Sequence, residues 1–173
     1  DIQIRGYNLR LPLDILLIAS ANPEDYTNRG RIITPLKDRF GAEIRTHYPL
    51  DLDAELRLIR QEARLDWETL GADLPDHLVE VIARFTRLVR ESTAVDARSG
   101  VSARFSIAAA ETAAASAVRR AAITGEERAV TRICDLPAVV QTLRGKVEFE
   151  VSEEGRETEV LAHLLRRATA ETF

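Results

Sequence analysis

The sequence predicts a mainly α fold: the remnant of an α/β core, made of a hairpin plus two strands, followed by a helical bundle. Three observations lead there. Apolar residues alternate with period two at Ile2, Ile4, Leu9 and Leu11. A continuous apolar run, DILLIAS at 14–20, has the length and composition of a strand buried on both faces. After Pro49 the apolar period becomes helical for most of the remaining chain. The division therefore falls near residue 50, with 1–49 as the α/β part and 50–173 as a helical domain of ordinary size.

Each element follows in order. Residues 1–13 alternate around Gly6-Tyr7-Asn8, a hairpin signal, and 14–20 is the first of the two further strands. Thr34 to Phe40 suits a short helix, with Thr34 as N-cap, Pro35 at the first helical position and Gly41 as the stop. Residues 42–48, AEIRTHY, alternate enough to be the second strand. Leu52, Leu56, Ile59 and Ala63 share one helical face behind Asp51 as cap, and Leu78, Ile82, Phe85 and Val89 do the same after Pro75. Phe105 to Ala122 is Ala-rich and favours helix, and its small side chains let neighbouring helices approach closely. Thr124 and Glu127 fit a capping box, and Pro137 is placed to interrupt or restart a helix. Residues 147–151, VEFEV, read as a short strand or an extended loop, and Glu157 to Ala170 as the last helix.

Composition bounds the function. Of 173 residues, 45% are apolar and 30% charged, with both signs mixed and a net charge of −4, which predicts a soluble protein without a global basic face for nucleic acid. No stretch approaches the length of a membrane span. The single Cys134 leaves no internal disulfide and fits a reducing cytoplasm. Met is absent, so Asp1 is expected to be an internal residue of a longer chain.

Three polar side chains carry the candidate chemistry. Asn22 follows the apolar run 14–20, at the edge where open α/β sheets place their ligands, and an amide there holds a water by hydrogen bonds. Arg39 ends a short helix before Gly41, and its permanent, planar cation suits a transferring phosphoryl group. Arg104 lies in the first helical turn after the loop RSGVSARFS, 98–106, if Ser102 is the N-cap. An arginine has the wrong sign for a helix N-terminus, and a bound phosphate offsets that.

The set ILLIASANP, TPLKDRFG and IRTHYP resembles the second half of an AAA+ ATPase core of the magnesium-chelatase and MoxR-like branch. The resemblance covers roughly residues 1–145 and implies roles position by position. The opening hairpin corresponds to the pre-sensor 1 hairpin and Asn22 to sensor 1. Leu36, Asp38, Arg39, Phe40 and Gly41 match the arginine-finger motif, and Gly100, Ser102 and Arg104 match sensor 2 of the helical lid. It further implies ATP and Mg²⁺ as cofactors of an intact ATP hydrolase. It implies a homo-oligomeric, hexameric ring that remodels a partner, often one with a von Willebrand factor A domain. No phosphate-binding Gly-Lys-Ser/Thr loop and no paired acidic strand end occur in these 173 residues, so this stretch alone is expected to be inactive and to bind nucleotide weakly.

Two other readings compete. A sigma-54-type transcription activator shares the general core, and a non-catalytic helical adaptor would carry the same arginines as surface charges. Asn22-Pro23 is also an ordinary turn starter, and Arg39 has Asp38 and Glu43 within reach as surface partners. Arg29 and Arg31 read as solvated loop charges, Cys134 as a small core residue and Trp67 as a packing anchor. His47, His77 and His163 have no ligand spacing, and no metal site is expected. Glu148, Glu150, Glu153 and Glu154 form an acidic, solvated face, and no motif beyond 145 assigns it a role.

Overall fold

The computed structural model describes residues 2–4, 6–9, 16–20, 39–66, 71–96 and 99–173. The chain divides into two units, Asp1–Ala42 and Glu43–Phe173.

In the first unit, β1 (Ile2–Ile4) pairs antiparallel with β2 (Tyr7–Leu9), Ile2 opposite Leu9 and Ile4 opposite Tyr7. The turn thus lies between Ile4 and Tyr7. Tyr7 and Asn8, expected in the connection, belong to the ladder instead, because Gly6, at φ +86°, takes the turn position just before them. The strand expected at 14–20 is not formed over 16–20, where Leu16, Leu17 and Ile18 are exposed. Residues 42–48 likewise run without a ladder, with Ile44 exposed. Apolar content alone does not make a strand; a strand needs neighbours to take its backbone hydrogen bonds, and among the described residues none pairs with either segment. Most of the helix expected at 34–40 lies outside the described residues, and Arg39 itself is in a turn.

The second unit is helical. Helix α1 (Leu52–Glu62) starts where Asp51 accepts a hydrogen bond from the Ala54 N–H at 2.7 Å, as a side-chain cap should. It turns Ile59 inward, with Leu52 and Leu56 packed against the core. Strand β3 (Ala72–Asp73) precedes α2 (Asp76–Glu91), whose Leu78, Val81, Ile82, Phe85 and Val89 are fully buried at the spacing of one helical face. Helix α3 (Arg104–Thr124) packs on α2 through Phe105, whose ring lies 5.5 Å from that of Phe85. Farther along α3, Ala109, Ala110, Ala113, Ala114 and Ala117 are fully buried. With methyl groups at the contact, neighbouring helix axes come close.

The end of α3 differs from expectation. Thr124 is its last residue, not the cap of a new helix, and its hydroxyl donates back to the Arg120 carbonyl at 2.9 Å. Gly125, at φ +72°, takes the left-handed position that stops the helix. Nothing in an Ala-rich run ends a helix before such a residue. Strand β4 (Ala129–Val130) then pairs parallel with β3, extended by the Thr131 N–H to Asp73 carbonyl bond at 2.8 Å. Helix α4 (Pro137–Leu143) restarts at Pro137 as expected. Residues 147–151 are an extended loop holding one antiparallel bridge, Val95 with Phe149, and a short 3-10 turn begins at Val151. Helix α5 (Glu157–Thr172) closes the bundle by laying Leu161, Leu164, Leu165 and Ala168 against α2 and α4. No helix among the described residues is long and apolar enough to cross a membrane.

Candidate functional site

Asn22, Arg29, Arg31 and Trp67 lie outside the described residues. Arg39 is exposed in the first unit, and Glu43, one of its expected surface partners, pairs with Arg45 at 3.2 Å. Arg104 belongs to the second unit. It is the first residue of α3, is exposed, and its guanidinium has no hydrogen-bond or ion-pair partner among the described residues. The residue before the helix is Ala103 and not Ser102, but Ser102 Oγ still accepts the Arg104 N–H at 3.2 Å. Its backbone carbonyl accepts the Phe105 N–H at 2.9 Å. The first turn of α3 is therefore anchored while its cation is left available.

The loop that delivers Arg104 is held from three directions. Glu55 of α1 is completely buried and receives both terminal nitrogens of Arg90 of α2, at 2.5 and 3.3 Å. The same guanidinium uses Nε to donate to the Val101 carbonyl at 3.1 Å. Tyr48 places its ring face under Arg90, 4.6 Å from the guanidinium carbon to the ring centroid, and its hydroxyl accepts the Val101 N–H at 3.1 Å. Both polar groups of the Val101 peptide are thus satisfied by side chains, as burial of this residue demands. Gly100 sits at φ +67°, which favours glycine, and a Cβ there would meet the Tyr48 hydroxyl and push it aside.

Sequence reasoning missed this cluster, although one signal was present. Glu55 falls between Leu52 and Leu56/Ile59 at helical spacing, which puts a carboxylate on the apolar stripe of α1. A carboxylate there needs a cation facing it. Nothing in the sequence named Arg90 as that cation.

A second charged cluster lies at the far end of α3. Arg120 donates to Asp135 Oδ1 and Oδ2 at 3.2 and 3.0 Å, to Glu126 at 2.7 Å and to the Val130 carbonyl at 2.7 Å. The Arg120 hydrogen bond is the main cause that holds the Glu126 carboxyl below its usual range. Burial alone would push Asp135 up, but bonds from Arg120, the Arg132 N–H and Ser116 outweigh it and leave the carboxyl lowered. The pair also explains Cys134. Expected in the core, it is exposed, because its 3-10 turn, Ile133–Asp135, rotates Asp135 inward to Arg120.

Among the described residues, open grooves lie elsewhere. One of about 310 Å³ is lined by Arg144, Phe149, Val151 and the acidic Glu150, Glu154 and Glu157, another of about 270 Å³ by residues of α1; Arg104 lines neither. Among the described residues no group of three His, Cys, Asp or Glu side chains could hold a metal ion. His47 and His163 are exposed, and the His77 ring meets Phe173 edge-on at 5.6 Å.

No protein-family model matches the chain, and no solved structure matches it. Over 70 residues the chain is 31% identical to the magnesium-chelatase 38 kDa subunit of Acidiphilium rubrum. That stretch is 40% of this chain and 19% of that protein, so the match spans about a fifth of the relative's length. It supports a magnesium-chelatase-like relationship.

Proposed function

We propose that this chain is the sensor and lid portion of a magnesium-chelatase-like AAA+ ATPase, with residues 1–49 from the α/β core and 50–173 as the lid. The observation that carries the reading is Arg104, an exposed guanidinium without a partner among the described residues, at the first position of a 21-residue helix. A lone cation at the positive end of a helix is unfavourable until an anion arrives, and a nucleotide phosphate is such an anion. The exposed Leu16, Leu17 and Ile18 also support it, since a strand of a larger sheet would bury such side chains. The likeness to a magnesium-chelatase subunit favours this branch over a sigma-54-type activator.

In this reading Asn22 orients the attacking water, and Arg39 reaches a neighbouring subunit's nucleotide to offset charge on the γ-phosphate. Arg104 contacts the nucleotide from the lid, so that lid angle and hydrolysis are linked. Mg²⁺, when bound with ATP, neutralises phosphate charge, and its ligands are assigned to other residues of the intact protein. The intact protein forms a ring and remodels a partner, such as one with a von Willebrand factor A domain.

The test is ATP turnover and nucleotide binding by variants of the intact protein. Arg39→Ala is expected to lower turnover by about 10³–10⁵-fold with binding nearly unchanged. Arg104→Ala is expected to weaken both. Normal hydrolysis by Arg39→Ala overturns the finger assignment.

A further inference from the structure

We infer that Tyr48 is a positioning residue for Arg104, setting the path of the 99–104 loop through its hydroxyl; this rests on the reading of Arg104 as a nucleotide contact. The second unit begins at Glu43, and residues 43–48 carry neither helix nor ladder. Side-chain hydrogen bonds in this stretch are local, Arg45 to Glu43 and His47 to the Tyr48 carbonyl, until Tyr48 itself reaches Val101, 53 residues away. Among the described residues, Tyr48 is therefore the first point at which the incoming chain is tied by a side chain to the loop before α3.

The three parts of the clamp on Val101 are unequal. Glu55 is 0% exposed and the Arg90 side chain 10%, so that pair is sealed from water. Tyr48 is 47% exposed, so water can replace its bond to the Val101 N–H. The bidentate pair is the fixed post, and the tyrosine hydroxyl is the adjustable contact. Val101 is followed by Ser102, whose hydroxyl and carbonyl hold the first N–H groups of α3, so a shift of the Val101 peptide passes within three residues to Arg104. Tension on 43–48 would move Tyr48, and with it the direction of the Arg104 cation, without disturbing the helix core.

Tyr48→Phe in the intact protein removes the acceptor and leaves the ring under Arg90. Amide hydrogen exchange at Val101 is expected to rise about 3–10-fold, with α2 amides unchanged. The KM for ATP is expected to rise by a similar factor, about 3–10-fold, and kcat to fall by less than it does in Arg104→Ala, because the Arg104 contact is misdirected and not removed. Since Tyr48 acts only through Arg104, Tyr48→Phe combined with Arg104→Ala should be no worse than Arg104→Ala alone. Unchanged Val101 exchange, or a Tyr48→Phe loss that adds in full to that of Arg104→Ala, overturns the inference and leaves the nucleotide reading standing. ATP kinetics unaltered by Arg104→Ala overturn the nucleotide reading, and the positioning role falls with it.

Discussion

At the start of α3, Glu55 and Arg90 hold the Val101 peptide; near its end, Arg120 holds Asp135, Glu126 and the Val130 carbonyl. Both clusters use arginine as a branched donor that satisfies carboxylates and a backbone carbonyl together. They differ in reach. The Arg120 cluster spans 116–135 and folds one helix end back on the turn that follows it. The Arg90 cluster draws in residues 48, 55, 90 and 101, four separate segments. A local staple adds to stability wherever it lies. A junction of distant segments also sets where a loop points, and the loop at this junction carries Arg104.

The largest effect expected from breaking the comparison comes from Glu55→Gln. It leaves Arg90 without its counter-charge in a sealed site and should destabilise by about 3–5 kcal/mol in denaturant unfolding. Replacing both partners together, Glu55→Leu with Arg90→Met, should recover most of that loss, because no charge is then buried alone. It should not restore protection at the Val101 amide, whose loop has lost its carbonyl donor. A double variant as unstable as Glu55→Gln would mean that unpaired charge is not the cause.

The glycines at the two ends of α3 give the next contrast. Gly125→Ala meets only the left-handed backbone and open space, and should cost about 1–2 kcal/mol. Gly100→Ala meets the same backbone penalty and also displaces the Tyr48 hydroxyl, so it should cost about 0.5–1.5 kcal/mol more. Equal midpoints for the two variants in thermal or denaturant unfolding would show that the Tyr48 contact contributes nothing.

The acid response is concentrated at the Arg120 end, with a further part from Glu157 at the start of α5, which the Gly155 N–H holds below its usual range. Asp135 and Glu126 are lowered in the folded state from ordinary values of 3.8 and 4.5, so the folded protein binds fewer protons than the unfolded chain. Their contribution is complete above those ordinary values, declines as the pH falls through them, and is lost once the folded values are passed. The denaturation midpoint should therefore drop below about pH 4.5, and the drop should be shallower in Arg120→Met. The smallest effect is at the surface: Arg128, paired with Asp73 at 2.5 Å but largely exposed, should cost about 0–1 kcal/mol when changed to Ala.

Much of the helical unit was legible in advance because helices are set by near neighbours. Asp51 as a cap, the stripe Leu78–Ile82–Phe85–Val89, the restart at Pro137 and the last helix all follow from residues within four of one another. The expected strands at 16–20 and 42–48 misled for the opposite reason, since alternation or apolar content describes one strand and says nothing of its neighbours. Thr124 and Glu127 had the spacing of a cap, yet the helix before them had not ended. Of the candidate site, Arg104 was found in the first turn as expected. Its supporting residues were not, because Tyr48, Glu55 and Arg90 are brought together by packing.

From the sequence alone came the mainly helical class, the change of period after residue 49, and the helix starts at Asp51, Pro75 and Pro137. Those rest on local periodicity and capping, which short stretches encode by themselves. Only the tertiary structure decided that a buried carboxylate on α1 finds an arginine on α2, and that this arginine and Tyr48 share the two polar groups of Val101. Such pairings depend on which faces meet once the helices pack, and burial then makes each unmet polar group too costly to leave alone.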